Sequence, residues 1–197
     1  MKYYLKSVVI PFIYLFFTAF TAVGFLGIEK IAEPLRIIIF IINVLVLLFI
    51  VSAFAFKHGE QAYKDLLFND VERRIMVEQN VVRPLKLHEE YKPWKGFVMG
   101  LLICVPLVLF LIPHSIIAIS GGSYQGMGYI GSLLYYCFFI FIQYFSVELT
   151  VSSYFWMLLI IPIFALASGV PYLLGAKKAR KVEEKILEQH KYIYGDK

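Results

Sequence analysis

From Gly96 to Leu174 the chain carries no lysine or arginine. In a chain that holds 19 of them, so long a gap leaves few folds open, because water-facing surfaces of soluble domains are supplied mostly by charged and polar side chains. The cations are concentrated elsewhere. Eight lie in residues 57–95 and seven in the tail 175–197; Lys2 and Lys6 precede the first apolar run, and Lys30 and Arg36 fall in a short connection.

Three apolar runs occupy the gap: Gly96 to Ile119, Tyr129 to Val147 and Tyr154 to Leu174. Two more precede it, Ser7 to Ile28 and Ile37 to Phe56. About 20 such residues in a helix cross the hydrocarbon core of a bilayer, about 30 Å thick. Apolar residues make up 60% of the chain, against roughly 45–50% in soluble domains. Aromatics make up 17%, a share that suits the boundary between headgroups and acyl chains. These features predict an all-α integral membrane protein, one domain with about four transmembrane helices, an interfacial or re-entrant apolar helix, and amphipathic cytoplasmic helices.

Charge decides the count. Lysine and arginine accumulate on the cytoplasmic side of a membrane, so the loop 57–95 and the tail 175–197 belong on the same side. An even number of crossings must then separate them, and one of the three runs in the gap does not cross. Tyr129 to Val147 is the expected exception: Gly121, Gly122, Gly126 and Gly128 loosen its entry, Glu148 closes its exit, and Tyr129, Ser132, Tyr136, Gln143 and Ser146 form a polar stripe. The four spans are therefore placed at 7–28, 37–56, 96–119 and 154–174, with both termini cytoplasmic in the cell membrane. Five spans is the alternative. The first run outlasts the 7–15-residue apolar core of a cleavable signal and is expected to be retained.

Residues 57–95 hold eight basic and seven acidic side chains. Tyr63, Leu66, Leu67, Val71 and Ile75 follow helical spacing, which predicts a stalk over Lys57 to Asn80 continuing the second span, interrupted at Arg83-Pro84. Arg73, Arg74, Tyr91 and Trp94 are the candidate anchors for a partner; a self-packed loop with Trp94 at the bilayer interface is the competing reading. In the tail, Val182, Ile186, Leu187 and Ile193 give one apolar face, and Lys177, Lys178, Arg180 and Lys181 are candidate contacts to anionic lipid headgroups.

No charged side chain lies inside the four spans. Asn43 is the intramembrane polar candidate, suited to hydrogen bonding between helices, and His114 and Glu148 flank the glycine-rich outer segment as a candidate polar site. Cys104 and Cys137 sit in apolar runs without metal-ligand spacing and read as small hydrophobes. There is no P-loop, H-E-x-x-H or G-x-S-x-G motif, and His58 and the pair Glu89-Glu90 lack partners for a metal site. The reading is a non-catalytic subunit or accessory component of a membrane complex, a homo- or hetero-oligomer through helix packing, with no cofactor, no metal and no nucleic-acid partner. A small transporter or channel is the alternative.

Overall fold

The computed structural model describes residues 9–10, 13–14, 33–85, 90–105 and 159–195. Among them the regular structure is helical, in three long pieces: α1 (Glu33–Gln79), α2 (Lys95–Val105) and α3 (Ile160–Tyr194). All of the expected span 7–28 except 9–10 and 13–14, and the whole stretch 106–158 with the segment 129–147, His114, Cys137 and Glu148, lie outside the described residues.

The 47 residues of α1 extend about 70 Å at 1.5 Å per residue. The helix begins in the polar connection, with Pro34 in its first turn, where the missing amide donor is not needed. It does not pause at Phe56, where the apolar run ends. Its end falls at Asn80, whose φ of 52° is left-handed, and the Val81 amide donates to the Met76 carbonyl at 3.1 Å, a Schellman closure. Asn tolerates this conformation, so the helix ends at the expected limit of the stalk, before Arg83-Pro84 is reached. Over Val44–Gln79, α1 is long and apolar enough to cross a membrane; 22% of its most apolar stretch is buried, whereas the core helix of a soluble protein is mostly enclosed.

α3 runs from the apolar residues of the last run through the basic tail without a break, and carries Pro171 in its interior. Proline has no amide hydrogen for the carbonyl four residues back. That carbonyl belongs to Ala167, and the Ser52 hydroxyl of α1 donates to it at 2.9 Å. The neighbouring helix thus satisfies the group that proline leaves open, as apolar surroundings demand. At the far end Gly195 (φ 74°) turns the chain away, its amide bonded to the Lys191 carbonyl at 2.9 Å.

Cross-helix contacts fix direction. Ser52 meets Ala167, Phe56 meets Gly175, Glu60 meets Lys178 and Tyr63 meets Glu183, so α1 and α3 run parallel. Gly96 faces Tyr172, and Gly100 faces Phe164 and Ala165, so α2 runs antiparallel to α3. Small residues allow the approach: a Cβ on Gly59 would strike the Tyr172 carbonyl, and one on Gly175 the Phe56 carbonyl. Below them Leu47, Val51, Ile103, Cys104 and Phe164 form a buried cluster, joined by half-buried Tyr14. Ala55, Ala62 and Tyr172 form a second. Leu45, Phe49, Leu101, Ile163, Leu166 and Val170 point outward and are exposed, an apolar belt around the bundle.

Candidate functional site: the charged junction of three helices

Where α1 and α3 pass from apolar to charged sequence, the chain entering α2 is tied onto them. Gly96 leaves room for the Tyr172 ring, since a Cβ there would approach Tyr172 Cβ and Cγ at 2.5 and 2.7 Å. That ring is wholly buried. Tyr91 stacks on it with centroids 5.6 Å apart and planes 13° from parallel, and His58 lies 5.8 Å away on a tilt. Tyr63 meets Tyr91 edge-on at 5.9 Å, a favoured geometry for aromatic pairs.

Beside the rings is a polar cluster. Glu90 is 8% exposed, and its Oε1 accepts from Asn69 Nδ2 at 2.8 Å and from Arg73 Nη2 at 2.5 Å. Arg73 Nη1 also donates to Asp70 at 2.6 Å. Buried Lys95 donates from Nζ to the Glu90 carbonyl at 2.6 Å, and the Tyr91 amide donates to the Ala62 carbonyl at 2.9 Å. A charge taken out of water is tolerated when it is paired and hydrogen-bonded, and Glu90 meets that condition. These bonds hold the return of the loop against more than two turns of α1, from Ala62 to Arg73.

Two further ties join α1 to α3. Tyr63 Oη donates to Glu183 at 3.2 Å. Glu60 accepts from Lys64 at 2.7 Å and from Lys178 at 3.3 Å; these two ammonium groups hold its carboxyl below the ordinary glutamate value. Burial, reinforced by the Glu183 carboxylate, raises the Tyr63 phenol, and burial alone raises Tyr91. Loss of a proton from either phenol is thus disfavoured in the folded protein.

The residues singled out from sequence are distributed unevenly over this junction. Arg73 belongs to the Glu90 cluster with its side chain 40% exposed, and half-buried Tyr91 belongs to the ring stack. Arg74 and Trp94 are exposed, Trp94 by 55%. Lys177, Lys178 and Lys181 share one groove together with Lys185, while Arg180 points away from it and pairs with Glu184 at 2.9 Å. Asn43 lies on α1, but its side chain, like His114 and Glu148, is outside the described residues.

Asn69, Lys95 and Tyr172 are not candidates in the sequence, and Glu90 enters there only as half of the Glu89-Glu90 pair without metal-site partners. The signal available for the packing was Gly96-x-x-x-Gly100 with Ala55-x-x-x-Gly59, small residues at the spacing that lets helices approach. On the stalk, Phe68, Val71 and Ile75 remain exposed at 61, 55 and 43%, within one narrow stripe of the helix surface. No group of three or more His, Cys, Asp or Glu side chains converges to hold a metal among the described residues. The chain matches no protein-family model, no curated protein and no solved structure.

Proposed function

We propose that the chain is a non-catalytic multi-pass membrane protein, a subunit or accessory component of a membrane complex, that presents its 57–95 loop to a partner in the cytoplasm. The observation that carries this reading is the parallel course of α1 and α3 with their changes of character at one level: Phe56 and Gly175, where the apolar runs end, touch. Beyond that level the 57–79 part of α1 extends about 35 Å at 1.5 Å per residue, with the α3 tail beside it. Two helices that leave the apolar belt together in this way form a charged stalk on one side of a bilayer.

The direction of α2 adds to the argument. It enters the belt from the stalk side, and α3 returns to that side, which supports an even number of crossings between loop and tail. Four spans, an uncrossed segment 129–147 and cytoplasmic termini follow when the cations are kept inside. The Glu90 cluster and the Tyr91–Tyr172 stack make the stalk and the return of the chain at residues 90–95 one joined platform. The stripe Phe68, Val71 and Ile75 on this platform is apolar surface outside the belt, where a partner helix gains most by covering it.

Photo-crosslinking tests the reading. A photoreactive side chain at Val71 or Ile75 is expected to join a discrete second polypeptide, and the same probe at Glu188 on the tail is expected not to. The assembly should exceed monomer size in mild detergent and fall to it in Val71→Glu/Ile75→Glu. A wild-type protein that runs as a monomer and gives no site-specific crosslink overturns the proposal.

A further inference from the structure

Between α1 and α3, on the flank away from the Glu90 cluster, lies a groove of about 600 Å³ lined by Phe56, Leu174 and Val182 with Lys177, Lys178, Lys181 and Lys185. The α3 residues fall three or four apart along one face. Phe56 and Leu174 are the last residues of their apolar runs, so the groove begins in the belt and ends among cations. Like charges three and four apart on a helix repel. Lys178 pairs with Glu60 at 3.3 Å and lies 5.5 Å from the Phe56 ring centroid; no carboxylate among the described residues pairs with Lys177, Lys181 or Lys185.

We propose that this groove binds one anionic phospholipid, with its headgroup phosphate among the lysines and the start of an acyl chain against Phe56 and Leu174. The inference rests on the membrane reading above and adds a defined lipid site to it. Charge complementarity selects the headgroup: Lys177, Lys178 and Lys181 follow Leu174 within two turns, at the level where bilayer phosphates lie, and Lys185 adds a cation one turn further out. The apolar floor selects a lipid over a soluble anion, because Phe56, Leu174 and Val182 have no use for a free phosphate. The volume is that of an ordinary ligand pocket, about 300–1,000 Å³, enough for a headgroup and its first methylenes. Arg180 has no part in the site.

The test uses the full chain in mild detergent, mixed with micelles of phosphatidylcholine and phosphatidylglycerol, and counts retained lipids by native mass spectrometry. The wild type is expected to keep one phosphatidylglycerol at least about tenfold in preference to phosphatidylcholine, a margin well within what two lysines supply at a surface. Lys177→Gln/Lys181→Gln/Lys185→Gln is expected to lose about a hundredfold in affinity, from roughly fivefold per lysine, and replacement of the same three by arginine to preserve binding. Arg74→Gln/Arg180→Gln/Lys191→Gln removes equal charge elsewhere and is expected to retain the lipid. Equal loss in both glutamine triple variants, displacement by inorganic phosphate, or displacement by a polyglutamate peptide, which assigns the groove to an acidic protein segment, overturns the proposal. A chain that floats with pure phosphatidylcholine vesicles yet shows no preference for phosphatidylglycerol removes the lipid site alone; a chain that stays in solution without detergent removes the membrane reading with it.

Discussion

Ser52 and Pro171 lie on different helices and act as one unit. The proline leaves the Ala167 carbonyl without its helical donor, and the serine hydroxyl supplies one. Ser52→Ala is expected to cost about 1 kcal/mol, at the low end of the penalty for an unsatisfied acceptor because the Ala167 carbonyl is only part-buried, read as a lower unfolding midpoint in detergent. In a Pro171→Ala background the helix regains its own amide donor, so the same serine change should cost much less, and the double-mutant cycle reports the difference. Glu60 makes a second prediction. Lys64 and Lys178 lower its pKa on folding, so its contribution is complete above the ordinary glutamate pKa and fades as the pH falls through the lower folded value. Glu60→Gln is expected to flatten the stability profile between the lowered folded value and the ordinary glutamate value and to leave its slope at neutral pH unchanged.

The helices join through absent side chains. Gly59 and Gly175 let α1 and α3 come within backbone contact, and any larger residue must push the pair apart. Gly175→Val and Gly59→Val are each expected to destabilise by about 1–3 kcal/mol or more, the usual cost of overpacking. At Gly195 nothing lies within 4 Å of an added Cβ and the burden is only its φ of 74°, so Gly195→Ala should cost about 1 kcal/mol; thermal unfolding of the three variants ranks them. Much of this level was legible in the residues. The apolar run 37–56, the helical spacing of the stalk and the continuity of the tail are properties of local pattern, and α1 and α3 express them. The start of α1 at Glu33 was less so, because Pro34 reads equally as a turn or as the first turn of a helix. Its stop agrees with the stalk expected over Lys57 to Asn80, while the left-handed φ of Asn80 that makes the stop is not visible in the pattern. The Glu90 cluster was not legible, because Asn69 and Arg73 reach Glu90 across a turn of the chain that local periodicity does not describe. Arg73, whose side chain is 40% exposed, and Tyr91 are also parts of this joint, and their local pattern did not show that.

For the whole molecule, the two cationic regions and the parallel helices make one argument from different directions. The distribution of lysine and arginine leads us to propose a common side for the loop 57–95 and the tail, and α1 and α3 run side by side, with Tyr63 on Glu183 and Glu60 on Lys178. Among the described residues the protein is all-helical, and one helix is long and apolar enough to cross a membrane. The proposed placement of the joined stalk in the cytoplasm is what the partner stripe and the lipid groove both require. Single cysteines test it directly. In a chain with Cys104→Ala and Cys137→Ala, Val77→Cys on the stalk and Glu188→Cys on the tail are exposed to a membrane-impermeant maleimide added to intact cells and then to permeabilised ones. The account predicts that both positions are protected in intact cells and labelled after permeabilisation; labelling of either one in intact cells contradicts it.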